Sequence, residues 1–288
     1  MRTLIVSTWT VVVLLGGAAS ARAQDEARAL IERAVKAHGG AEALGRVRAD
    51  KVKFKGTLVI RGHTTPFVAE TTMQLPSKYK HVIETNNGGD KHTIVHIING
   101  KKIYITLDGR ALQADPAQLA EIRRGLELER AKRLLPLLDD KSYQLAVLEE
   151  IKVNDRPAVG VRITGRGRKE MRLYFDKEYG LLVRAENRLG DGKSKEVRQH
   201  FFFGDFKDIG GYKRPTKIRA YRDGREIMAA ELLDAKVLDK VDETEFAIRG
   251  LIGLGMSVRF FIVGRAETGR PVGACLCARL SLSRTAVR

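Results

Sequence analysis

From Lys51 onward one pattern recurs: a short run in which apolar and polar residues alternate, then a turn, then alternation again. In "KVKFKGTLVI", Val52, Phe54, Leu58 and Ile60 alternate with Lys53, Lys55 and Thr57. A period of two puts one set on a buried face and the other in water, as in a half-buried antiparallel strand. The same pattern predicts strands over 66–75, 78–86, 91–99 and 101–107. It then continues over 142–153, 157–165, 169–176, 181–189, 194–206, 214–222 and 225–238. The connections are turn chemistry, among them Pro76-Ser77, Asn99-Gly100, Asp108-Gly109 and Asp223-Gly224. A meander of about eleven or twelve strands does not stay flat; it curls or closes. The pattern therefore predicts an α+β fold in which a curved, incomplete antiparallel β-barrel carries helices on its concave face.

Two helices precede the alternation and a third interrupts it. In residues 25–37, Ala27, Leu30, Ile31, Ala34 and Val35 fall at helical spacing. His38-Gly39-Gly40 ends this helix, because glycine tolerates the left-handed backbone past a helix end. His38 falls in the last turn, where a partly positive ring suits the helix dipole, so it reads as a helix end rather than a ligand. A second short helix follows over 41–48. A third covers 115–135, with Asp115 as cap, Pro116 at the first helical position and Pro136 past its end.

The ends of the chain differ from its middle. "MRTLIVSTWTVVVLLGGAASARA" has a charged start, an apolar run from Leu4 to Leu15, and Ala21 and Ala23 in the A-x-A arrangement of a cleavable leader. The expected domains are thus a signal peptide at 1–23, one folded domain at 24–248, and an extension at 249–288 outside the fold. No lysine or aspartate occurs after Gly250, and both cysteines, Cys275 and Cys277, lie in that extension. The main domain must therefore hold together without disulfides. The net charge is +17; after removal of the leader and the six arginines and one glutamate of 250–288, +10 remains for residues 24–249. A basic exported chain is drawn to anionic membrane surfaces, and export argues against nucleic acid as a partner.

Sites of chemistry do not stand out. His92 and His96 on one strand sit about 13 Å apart, too far to share a metal ion. No H-E-x-x-H, G-x-S-x-G or phosphate-binding glycine loop occurs, so neither catalysis, a metal nor a cofactor is expected. What recurs is an apolar sheet face that helices can cover. Such a face either fills solid or encloses a cavity suited to acyl chains, bound through area at about 25 cal/mol per Å². By strand parity the inward residues are Phe54, Leu58, Ile60, Ile103, Ile105, Leu107, Val159, Val161, Ile163, Leu173 and Phe175.

The segments "KAHGGAEAL", "KVKFKGTLVI", "RLYFDKEYGLLVRAE", "YKRPTKIRAYRDGREI" and "VDETEFAI", in this order after a leader, resemble the LolA/LolB-like superfamily of periplasmic lipoprotein carriers and outer-membrane lipoprotein-sorting proteins. The resemblance covers roughly 25–248. It implies an incomplete antiparallel barrel of about eleven strands, helices forming a lid over a hydrophobic cavity, and lipid or lipoprotein acyl chains as cargo without chemistry on them. The expectation is a monomeric exported carrier. The competing expectation is a structural protein of the cell envelope with a filled core and a basic surface for anionic lipid or polysaccharide.

Overall fold

The structure, a computed structural model, describes residues 15–60, 62–189 and 196–247, with two further two-residue strands at 264–265 and 271–272 that pair with each other. The first fourteen residues of the expected leader lie outside the described residues, as does the C-terminal extension apart from those four.

Helices α1 (Leu15–Ala37) and α2 (Gly40–Arg46) precede six strands: β1 (Ala49–Ile60), β2 (His63–Gln74), β3 (Lys78–Asn87), β4 (Asp90–Asn99), β5 (Lys102–Leu107) and β6 (Arg110–Leu112). Helices α3 (Pro116–Ala131) and α4 (Leu135–Asp139) follow. Seven more strands complete the fold: β7 (Tyr143–Val153), β8 (Arg156–Gly165), β9 (Met171–Asp176), β10 (Leu182–Leu189), β11 (Val197–Ile209), β12 (Tyr212–Arg222) and β13 (Arg225–Leu238). All thirteen form one open antiparallel sheet in the order β6-β5-β4-β3-β2-β1-β13-β12-β11-β10-β9-β8-β7. The chain thus runs from the centre to one edge, crosses to the far edge through α3 and α4, and returns to the centre. The count exceeds the expected eleven or twelve because β6 is too short, at three residues, to show a period.

Local chemistry accounts for the boundaries. Asp115 and Gln118 cap α3 reciprocally: the Gln118 amide donates to the Asp115 carboxylate, and the Asp115 amide to Gln118 Oε1, both at 2.9 Å. The expected single helix over 115–135 breaks, because Leu134 adopts φ 65° and sits buried. Pro136 then falls in the first turn of a new helix, where its missing N–H costs nothing. The "YFDKEYG" turn is a clamp. Asp176 accepts hydrogen bonds from the Glu178 and Tyr179 amides and from Arg156 Nε at 2.7 Å, while Arg33 of α1 donates to the Lys177 carbonyl at 2.6 Å.

Helix α1 buries Ala27, Ile31, Ala34 and Val35, one stripe at helical spacing. With Leu128, Ala131, Leu134 and Leu137 from α3, α4 and their link, it packs on Val161, Ile163, Leu173 and Phe175. That part of the sheet, β7 to β10, is packed solid, and β11 borders it. Arg28 of α1 also donates to the Leu138 carbonyl at 2.8 Å, tying the two helical segments together. The helices lie on one face, as expected, but concentrate on one part of it. On the same face, β1 to β3 and β12 to β13 carry no helix packed flat against them, and it is there that space remains.

Candidate functional site

A cavity of about 300 Å³ opens on the helix-bearing face. Its wall takes residues from β3 (Tyr79, His81, Ile83) across β2, β1, β13 and β12 to β11 (Phe201, Phe203, Phe206). Six neighbouring strands laid flat would span about 24 Å. Their convergence on one compact space requires the sheet to bend around it. At the central seam β1 and β13 shift register at Lys53/Phe54, an irregularity of the kind that bends a strand. A Cβ on Gly56 would lie 1.9 Å from the Ala229 carbonyl oxygen, so only glycine permits that approach.

One end of the cavity is apolar: Phe54 and Leu58 of β1, Phe67 and Ala69 of β2, Ile83, Met228 and Ala230. The other end is charged. Asp50, 2% exposed, receives Arg133 Nη2 on its two oxygens at 2.8 and 2.9 Å and also a hydrogen bond from Arg214. Arg214 Nε donates to the Tyr212 hydroxyl at 2.5 Å. Burial alone would raise the Asp50 pKa, but the two guanidiniums outweigh it and hold the carboxyl below its usual range. Lys132 pairs with Glu129 at 2.6 Å and lies over the Phe201 and Phe203 rings.

Two histidines, His38 and His81, line the wall, and burial lowers the pKa of both. The His81 pKa falls to about 4 through desolvation. Its cross-strand neighbour His96 falls to about 4 as well, from burial and from His81. His38 is not the partly positive helix end that its position suggests. Burial depresses its pKa, Nδ1 donates to the Ala34 carbonyl at 2.8 Å, and Nε2 accepts from the Leu182 amide at 3.4 Å. That pair of partners fixes a neutral ring. The helix-ending role stands, but the ring also forms part of the cavity wall.

Of the residues singled out by parity, Phe54 and Leu58 line the cavity. Ile103, Ile105 and Leu107 lie on β5, on the same face but nearer the sheet edge, and Ile60 lies at the end of β1 opposite His63. Val161, Ile163, Leu173 and Phe175 sit in the solid half against α1, with Val159 on the neighbouring position opposite Phe175. Parity did not single out Phe67, Ala69 and Met73, although β2 alternates legibly, nor the Phe201/Phe203 pair, hidden in a run of three phenylalanines. It could not reach Asp50, Arg133 and Arg214, which lie far apart in the chain.

A second groove, about 400 Å³, is lined by Arg184, His200, Phe202, Lys217, Arg219 and Tyr221. Phe202 alternates with Phe201 and Phe203, which places this groove on the opposite face. Among the described residues, no cluster of three or more His, Cys, Asp or Glu side chains could hold a metal ion, and no helix is long and apolar enough to cross a membrane.

No protein-family model matches the chain, and no curated protein matches its sequence. Solved structures do resemble it. A LolA superfamily protein from Nitrosomonas europaea superposes with a TM-score of 0.52 at 13% identity, covering 77% of this chain and 97% of that one. A DUF1329 family protein from Desulfovibrio piger gives 0.47 at 14% identity over the same shares. A domain from Vibrio parahaemolyticus, assigned to outer membrane lipoprotein sorting, gives 0.48 at 10%, again over 77% and 97%. The likeness expected from the sequence thus holds at the level of fold: this chain shares the fold of the LolA superfamily protein.

Proposed function

We propose that this protein is an exported carrier that shields an acyl chain of a lipid or lipoprotein in its cavity and performs no chemistry on it. The observation that carries the reading is the cavity itself: about 300 Å³ with an apolar end, left open while the other half of the same face is packed solid. That volume lies at the lower end of small-molecule sites. An open cavity favours a carrier over an envelope protein with a filled core. The likeness to a LolA superfamily protein supports the same reading.

In this reading residues 1–23 are a leader and the exported domain begins at Gln24. Helix α1 is continuous across Ala23, and Gln24 Oε1 accepts the Leu145 amide at 2.6 Å, so a chain starting there keeps its tie to β7. The packed stripe begins only at Ala27.

Mass spectrometry of an organic extract of purified protein, together with displacement of a fluorescent fatty-acid probe, tests the proposal. Co-purifying lipid and saturable displacement are expected. Replacing Ala69 with Trp fills the apolar end and should abolish displacement while the protein stays folded. An empty extract and no probe binding by the wild type would refute the carrier.

A further inference from the structure

We propose that the charged end of the cavity is a subsite for the anionic headgroup of a single-chain amphiphile, a phosphate or carboxylate held by Arg214 and Arg133 while its alkyl chain runs toward Phe54 and Leu58. This rests on the proposed function, which assigns the apolar end to a chain.

Arg133 and Arg214 share one carboxylate, Asp50, and Lys132 is matched by Glu129. The three-residue cluster therefore carries a surplus positive charge. It does so where the Arg214 side chain is only 10% exposed and that of Arg133 17%. A surplus cation in such surroundings is costly unless an anion arrives to match it. Lys213, whose backbone amide donates to the His38 carbonyl at 2.9 Å, lines the same cavity and adds to the positive field.

Arg133 meets Asp50 and Met73 Sδ through Nη2, and Arg214 uses Nη2 for Asp50 and Nε for Tyr212. Each guanidinium has five N–H groups in a fork that suits a phosphate or carboxylate. Both retain donors beyond those bonds, and both line the cavity.

Asp50, Phe54 and Leu58 all lie on β1. Phe54 is four residues from Asp50, about 13 Å along the strand, and Leu58 is eight, about 26 Å. A headgroup at the arginines thus leaves a chain aligned with the apolar end. The two histidines on this wall stay neutral, so neither competes for the anion nor adds to the charge.

Calorimetric titration of the full chain with dodecyl phosphate, the uncharged monolaurin and inorganic phosphate, below micelle formation, tests the assignment. Dodecyl phosphate should bind on the order of tenfold or more tighter than monolaurin, as expected for charge-assisted hydrogen bonds. Inorganic phosphate alone should not saturate. Arg214→Gln should erase the preference, bringing the affinity for dodecyl phosphate down to that for monolaurin. Asp50→Asn, which removes the competing carboxylate, should strengthen it. Equal wild-type affinity for the two amphiphiles would overturn the subsite and leave the carrier standing. No binding of either would overturn both. Inorganic phosphate binding as tightly as dodecyl phosphate would overturn the amphiphile in favour of a free anion.

Discussion

Gly39 and Gly40 look interchangeable in the sequence, yet the structure separates them. Both adopt positive φ, 119° and 92°, where a side chain costs about 1–3 kcal/mol. A Cβ on Gly40 meets nothing within 4 Å, whereas one on Gly39 would lie 2.3 Å from the Gly211 carbonyl oxygen and 3.1 Å from Tyr212 Cα. Gly40→Ala should therefore cost only the backbone strain. Gly39→Ala must also move the α1 terminus away from the β11–β12 turn. That movement endangers the Lys213 amide bond to the His38 carbonyl, 2.9 Å, worth about 0.5–1.5 kcal/mol, and loosens the packing around the His38 ring. The excess over Gly40→Ala should be about 1–3 kcal/mol, which for a domain of this size is roughly 2–12 °C in Tm. Thermal and urea unfolding of the two variants, compared with each other, read this difference. Because His38 and Lys213 also line the cavity, Gly39→Ala should weaken probe binding and Gly40→Ala should not. Equal destabilisation of the two variants would refute the close-approach argument.

Further outcomes follow from the division of the sheet. Leu173→Ala, in the solid half and fully buried, should cost about 2–5 kcal/mol of stability and leave probe affinity intact in the folded fraction. Phe54→Ala, half-buried in the cavity wall, should cost less stability, about 1–2 kcal/mol, and lower probe affinity; fluorescence displacement and urea unfolding distinguish the two. The folded His81 pKa of about 4 lies below the ordinary 6.5, so the unfolded chain binds the proton first. Stability should therefore fall as pH drops from about 6.5 to about 4, and His81→Phe should flatten that slope in urea midpoints. The Asp50 pKa is depressed below 3.8, so its contribution is complete above that value and is lost as pH falls further. Asp50→Asn should leave the slope between pH 4 and 6.5 unchanged.

The strands were legible because antiparallel pairing with one wet face leaves period-two alternation in each segment separately. Turn residues marked their ends. The break at Leu134 was not legible, because nothing local distinguishes a leucine with φ 65° from one inside a helix. For the cavity, alternation separates the two faces of the sheet, and Phe54 and Leu58 follow from that. It cannot say which strands a helix will cover, since that depends on where the crossing segment lies. Val161, Ile163, Leu173 and Phe175 share the parity of cavity residues yet pack beneath α1. The ionic end was out of reach for the same reason. Arg133 lies 83 residues from Asp50 and Arg214 lies 164 from it, and only the folded sheet brings them together.

The topology explains why those three residues meet where they do. Because β1 and β13 are neighbours, the first and last strands of the sheet in chain order form its centre, and the two edges, β6 and β7, are consecutive in sequence. The link between the edges must cross the face. Its first part, α3, and its last, α4, pack toward the β7–β11 side with α1, and the short stretch between them carries Arg133 back to Asp50 on β1. Arg214 reaches the same carboxylate from β12, beside the central seam. Asp50 therefore anchors the crossing segment to a central strand of the sheet, at the charged end of the cavity. An anion bound by the two arginines, as proposed above, would therefore engage the same groups that tie the crossing segment to β1.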